Sequence, residues 1–244
     1  MNRESVNIQQ EMSSSGRTRF EAYADLVIGK RGVGNFLRYE LVIFCSSTLP
    51  GAAGLWLRSK LYPLLLKNCG RNVVFGRNVT LRHPHKISIG NDVVIDDNCL
   101  LDAKGKSNKG IEIANGCYIG RNSILSCKNG DIALGRKVNI GFNCEIFSGS
   151  RVELGDNTLV AAYTYFIGGD HDKGDENLPV SEQGRTSRGI VSGDNCWFGA
   201  GVKVLDGRKI GRNCLVGAGA VVTKDIPEHS VAKGVPARAV ARKG

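Results

Sequence analysis

Four histidines, His83, His85, His171 and His229, carry the only side chains of this 244-residue chain that titrate near neutral pH without help from their surroundings. Their spacing is too scattered to form a metal cage by itself, and none of the eight cysteines belongs to a CxxC pair, so neither a zinc knuckle nor a metal site is expected. His171 differs from the other three. It stands at the start of the longest interruption in a periodic chain, in Ile167-Gly168-Gly169-Asp170-His171-Asp172, with Asp170, Asp172 and Asp175 around it. An imidazole so placed can take the proton of a weak nucleophile such as an alcohol, and a neighbouring carboxylate can orient the ring or contact an acceptor. The residues alone equally allow an exposed loop histidine among turn-forming aspartates.

The elements that would position His171 are repeats. A six-residue beat begins with an aliphatic residue followed by a small or turn-forming one: Ile89-Gly90, Ile95-Asp96, Ile113-Ala114, Ile119-Gly120, Leu134-Gly135, Ile140-Gly141, Leu154-Gly155, Phe198-Gly199, Ile210-Gly211 and Val216-Gly217. Four places after the aliphatic comes a compact residue such as Val93, Cys117, Ser123, Val138, Cys144, Thr158, Cys196 or Cys214. A short strand and a turn make one side of a triangle, and three units close a coil of about eighteen residues whose neighbours stack at roughly 4.8 Å. The aliphatic points into the prism and the compact residue fits the corner. The fold class is therefore an all-β solenoid, a left-handed parallel β-helix with a helical N-terminal extension and a short C-terminal tail. On eighteen-residue counting, Cys99 stacks on Cys117 and Cys196 on Cys214 as buried thiols, close enough that a disulfide is stereochemically open. The same counting places Glu153 beneath His171. The beat slips at about 102–110, 127–132 and 148–152, and the long interruption spans 168–189, where an inserted loop would leave the stack on the functional face.

Residues 1–68 lack the repeat and form an extension, 69–225 the helix of strands, and 226–244 a basic tail. No secretory leader is read at the start, which points to a cytoplasmic protein with reduced cysteines. The stretch 41–57 (LVIFCSSTLPGAAGLWL) has no charge, but Pro50-Gly51 breaks it, so a single spanning helix is not expected. It reads either as helices packed on the prism or a neighbouring subunit, or as a bent interfacial segment held by flanking Arg and Lys at the cytoplasmic face of the inner membrane. The net charge of +10 suits an anionic partner. Its cations are spread over turns and termini with no aromatic platform, which argues against nucleic acid.

The repeat, the GGDH loop and the ending GAGAVVTKDIPEHSVAKGVPARAV, with Gly234, Pro236, Ala237 and Arg238, resemble the hexapeptide-repeat acyltransferases over roughly residues 70–240. The likeness is greatest to bacterial O-acetyltransferases acting on sugars and on polysaccharides of the colanic acid or lipopolysaccharide kind. It implies a homotrimer with acetyl-CoA in grooves between prisms, and His171 as general base. It further implies CoA contacts from Trp197, Ala200, Ala218, Thr223, Lys224 and Arg238, and acceptor contacts from Asn143 and Glu145. The implied reaction transfers acetyl directly, in a ternary complex and without a metal, to a sugar hydroxyl of a surface polysaccharide or its precursor, including a lipid-linked glycan. An oxyanion donor is sought among the backbone N–H groups near Phe198-Gly199-Ala200. Ser192, where the beat calls for an aliphatic, and Tyr163, where relatives carry a smaller polar residue, depart from the family pattern. Three other readings compete: an amino-sugar N-acetyltransferase, a non-catalytic scaffold at a membrane, and a zinc carbonic anhydrase of the same fold, for which the histidine spacing is wrong.

Overall fold

The computed structural model describes residues 16, 18–171, 174, 176–179 and 183–241. Short parallel strands wind into a left-handed β-helix with three faces. Face A has seven strands, face B nine including a closing antiparallel strand, and face C seven. The chain runs A, B, C and back to A. The inward aliphatics form ladders, as in Ile95, Ile119, Ile140, Val160, Phe198 and Val216 along face B, none more than 3% exposed. One coil alone could not bury these side chains, so the core exists only through stacking.

The corners explain the strand length. At each A–B and each B–C corner one residue takes a left-handed backbone conformation, often asparagine: Asn72, Asn78, Asn98, Asn122, Asn143, Asn157, Asn195 and Asn213. Asparagine tolerates this region better than other residues with a Cβ, and its amide can bond to its counterpart one coil away. Asn78 donates to Asn98 (3.0 Å), Asn98 to Asn122 (3.2 Å) and Asn195 to Asn213 (2.7 Å).

The eighteen-residue period holds only late in the stack, where Val191 pairs with Lys209 and Lys203 with Val221. Earlier coils are longer. Val74 pairs with Val94, Val94 with Tyr118 and Tyr118 with Asn139, while Val152 pairs with Ile190 across the long excursion. The expected Cys99–Cys117 stack is thereby corrected. The added residues before Ile111 put Leu100 opposite Ile124, so Cys99 lies under Ser123, and Cys117 lies over Val93. Cys196 and Cys214 do stack, since Trp197 pairs with Leu215. Each cysteine among the described residues is a free thiol, six of them buried. Burial raises the thiol pKa values of Cys99, Cys117, Cys144 and Cys196, that of Cys99 to about 11, which keeps these four sulfurs protonated.

The extension is helical. Thr18 and Glu21 form a capping box at the start of α1 (Arg19–Tyr23), which passes through a wider turn into α2 (Val33–Ser46) and α3 (Gly51–Leu61). These helices cover the first coil. The buried Arg58 guanidinium donates to the carbonyls of Phe75 (2.8 Å), Ser46 (2.9 Å) and Leu49 (2.7 Å), and the phenols of Tyr62 and Tyr39 donate to Val79 (3.0 Å) and Leu81 (2.8 Å).

His83 and His85 stack side by side against Gly29, their ring centroids 6.0 Å apart, rather than near His171. Burial, followed by the charge of Lys30, lowers the His85 pKa to about 4, and its Nδ1 has no hydrogen-bond partner. His83 shifts in the same direction, again by burial. Both rings are therefore neutral in the folded chain at a pH where the unfolded chain would bind protons. The unfolded state gains protons first as pH falls below about 6.5, so stability drops from there to about 4. Thermal melts across this window should show a shallower decline for His85→Gln than for wild type. Equal slopes would assign the acid sensitivity to other groups.

Candidate active site

The strand Tyr165–Gly168 on face C lies in register over Glu145–Ser148, with Tyr165 opposite Glu145 and Gly168 opposite Ser148. After Gly168 the chain leaves the stack at the C–A corner. A Cβ at Gly168 would sit 2.6 Å from the Phe147 carbonyl oxygen and 2.7 Å from the Val152 side chain, so the exit requires glycine. Asp170–His171 then pairs antiparallel with Arg185–Thr186, with His171 opposite Arg185. Ser187 anchors the return: its hydroxyl donates to the Gly168 carbonyl (2.7 Å) and lies 3.1 Å from the Ser150 hydroxyl. The backbone of His171 is thus held on a two-stranded hairpin at a fixed corner. Asp170 is exposed on the same hairpin, while Asp172 and Asp175 lie outside the described residues.

Glu153 is not beneath His171. The local register is twenty residues, Glu145 with Tyr165, and the chain has already left the stack before His171. Glu153 instead lies on face A between Ala133 and Val191, ion-paired with Arg151. Glu145 is half-buried at the start of the strand below the hairpin. The Tyr165 phenol is pushed to higher pKa by burial and then by the Glu145 charge. Asn143 occupies the left-handed position at the B–C corner, and its N–H donates to the Arg121 carbonyl (3.0 Å). The length of face C, roughly 15–20 Å at about 3.3 Å per residue, separates it from the hairpin.

The six residues implied for CoA fall into two groups. Ala200 and Ala218 are exposed on successive coils at the B–C corner, where the Gly219 N–H donates to the Ala200 carbonyl (2.8 Å). Trp197, 52% exposed, opens the face B strand leading to that corner, in register between Leu159 and Leu215. Arg238 is exposed on the closing antiparallel strand of face B, opposite Lys233. Thr223 and Lys224 follow the last strand of face C and so lie at the C–A corner, the hairpin's own corner. There the Thr223 carbonyl accepts from Arg208 (3.1 Å) and Lys224 is exposed. The N–H of Gly199 is committed to the Val216 carbonyl (2.8 Å) and is removed as an oxyanion donor. Ser192 is buried in the aliphatic row, its hydroxyl donating to the Gly193 carbonyl (3.1 Å).

Two features were not assigned a role from the sequence. Tyr163 takes the left-handed corner conformation (φ 61°) that its neighbours give to Asn143 and Gly201, and it is 61% exposed. A bulky side chain there is strained, a condition that collects at functional positions. Its ring meets Phe142 edge-on at 5.5 Å, and Arg121 lies 4.8 Å above the Phe142 ring, so an aromatic and cationic ledge borders the corner. The second is an open, largely apolar groove of about 550 Å³ on face A that contains Glu112 and Glu153. Its signal, glutamates at outward strand positions, is indistinguishable in sequence from a solvated surface.

The repeats and the hairpin define a β-helical repeat protein with one strand pair set outside the stack. The sequence model described as bacterial transferase hexapeptide (six repeats) matches residues 193–224, the part of the stack with the regular period. The galactoside O-acetyltransferase of Escherichia coli is 37% identical over 110 residues, 45% of this chain and 53% of that protein. Among solved structures, a polysialic acid O-acetyltransferase shares the fold with TM-score 0.56 and 20% identity, over 72% of this chain and 85% of that one. An N-acyltransferase from Bacillus cereus, solved with dTDP and 3-hydroxybutyryl-CoA, does so with TM-score 0.53 and 20% identity, over 81% and 91%. The chain spans about half the length of the curated relatives it matches. Residues 193–224 carry the hexapeptide repeat of bacterial transferases, and the likeness to these relatives spans about half of the chain.

Proposed function

We infer that the protein is an acetyl-CoA-dependent O-acetyltransferase acting on a sugar hydroxyl of a bacterial surface polysaccharide or its precursor, with His171 as general base. The observation that carries this reading is the His171 backbone, pinned on a hairpin that leaves the stack through Gly168, where a Cβ would press on the Phe147 carbonyl oxygen. The named activity of the galactoside O-acetyltransferase relative supports it. In the proposed step the acceptor oxygen attacks the thioester carbonyl while the His171 imidazole takes its proton. The tetrahedral oxyanion then collapses, breaks the carbon–sulfur bond and expels the CoA thiolate, which takes the proton from the imidazolium. Transfer is direct, because the corner cysteines Cys99, Cys117, Cys144, Cys196 and Cys214 are buried in the prism, which leaves none of them placed to carry the acetyl group.

Asp170, Asp172 or Asp175 orients the imidazole or the acceptor, and Glu145 and Asn143 line the acceptor path. Ala200 and Ala218 leave room for the pantetheine arm beside Trp197, while Lys224 and Arg238 offer charge to the CoA phosphates. In one chain the hairpin and the alanine corner lie on different edges of the prism. A homotrimer that sets the C–A corner of one copy against the B–C corner of the next would join them.

Acetyl-CoA titration by calorimetry, with thiol release followed over a panel of free, nucleotide-linked and lipid-linked sugars and their amino analogues, tests this reading. Binding with turnover on hydroxyl acceptors is expected. Turnover only on amino sugars would make it an N-acetyltransferase, and absence of CoA binding would leave a scaffold.

A further inference from the structure

We propose that the outward side of α2 and α3 docks on an anionic lipid bilayer, entering the interfacial region without crossing it. Tyr39, Val42 and Ser46 form the buried side of α2. Val33, Leu37, Leu41 and Phe44 are exposed, Phe44 by 87%. At about 100° per residue the two sets are centred roughly 180° apart, so the apolar row points directly away from the coil that α2 covers. On α3, Gly54 and Arg58 are buried while Leu55 and Trp56 are exposed, and Leu49 between the helices is exposed as well. An ordinary amphipathic surface helix turns such a row inward. A contiguous row of this size left in water marks an interaction surface.

Charge selects the occupant. Between residues 30 and 67 the chain carries Lys30, Arg31, Arg38, Arg58, Lys60 and Lys67 against the single acid Glu40. Arg58 is buried and Arg31 is paired with Asp25 and Glu21, which leaves Lys30, Arg38, Lys60 and Lys67 exposed. Lys60 lies one turn from Trp56 on the same side of α3, so its ammonium can reach headgroups while the indole sits at the acyl boundary. A second copy meeting this surface would bring two cationic sets together, whereas anionic headgroups neutralise them. No helix among the described residues is long and apolar enough to cross a membrane, which fits an interfacial mode of entry. The inference is independent of the acetyl-transfer reading, since a protein without catalytic activity would dock in the same way.

Flotation of the full chain with vesicles of phosphatidylcholine, alone or with phosphatidylglycerol added, tests it. Binding is expected only with phosphatidylglycerol, and it should weaken with salt. The double variant Phe44→Glu/Trp56→Glu should lower partitioning at least about tenfold. Lys30→Glu and Lys60→Glu should each lower it about fivefold. Both apolar positions are exposed, so far-UV circular dichroism and melting temperature should stay at wild-type values and report an intact fold. Wild type that fails to float with the anionic vesicles, or binding that persists in the Phe44→Glu/Trp56→Glu variant, would overturn the proposal. A variant that instead shifts to a smaller species in sedimentation velocity, with flotation unchanged, would assign the surface to a second copy and also overturn it.

Discussion

His171→Ala lowers acetyl transfer about 10²- to 10⁴-fold and leaves acetyl-CoA affinity within about twofold of wild type, the magnitude general-base removal produces. A hydroxyl is a poor nucleophile at neutral pH, so the loss falls on kcat rather than on cofactor binding. The hairpin backbone supports this separation. Asp170–His171 is held by its pairing to Arg185–Thr186 and by Ser187 on Gly168, none of which uses the imidazole. The pH–rate profile supplies a second readout. Wild type should lose activity on the acid side as its base is protonated, and the variant's residual rate should lack that limb. A variant within tenfold of wild type, with the acid limb intact, would move the base elsewhere and remove His171 from the mechanism.

Phe166→Ala destabilises the fold by about 3–5 kcal/mol in urea titration, the range for deleting a fully buried phenylalanine. Phe166 is wholly buried, and its ring meets that of Phe198 at 5.1 Å in an edge-on arrangement. The two residues come from faces C and B and fill the prism beside the coil from which the hairpin departs. Rows above and below are fixed by backbone ladders, so the cavity cannot close by local collapse. A loss below about 1 kcal/mol would mean that the coil repacks freely, contrary to a rigid stack.

The fold was largely legible because its two determinants are local. The aliphatic at each repeat start and the compact residue four places on recur often enough to set three faces and the ladders between them. Register was legible only where the period is regular. Eighteen-residue counting succeeds for Cys196 over Cys214 and fails for Cys99 over Cys117, because the residues added before Ile111 lengthen that coil and shift its pairing. Glu153 was misplaced for another reason: the local register is twenty residues and the chain leaves the stack after Gly168. A better marker was present in the asparagine just before the compact residue, as in Asn98-Cys99, Asn143-Cys144, Asn195-Cys196 and Asn213-Cys214. It marks the left-handed corner whatever the coil length. Tyr163 departs from this pattern as well, at the corner position its neighbours give to Asn143 and Gly201. The separation of Thr223 and Lys224 from Ala200 and Ala218 was not legible, since it depends on which corner each residue occupies and not on distance along the chain.

The helices of the extension cover one end of the stack. The strands Asn68–Cys69, Val74–Phe75 and Thr80–Arg82 are the outermost members of three parallel sheets. An identical coil would complete such edges, so a repeat solenoid is a template for its own head-to-tail polymerisation. Arg58, Tyr62 and Tyr39 occupy carbonyls on two of these edges, and at the opposite end Arg238–Ala241 closes face B with an antiparallel strand. The extension and the tail thus act as terminators. They cover edges on which a further coil would otherwise stack.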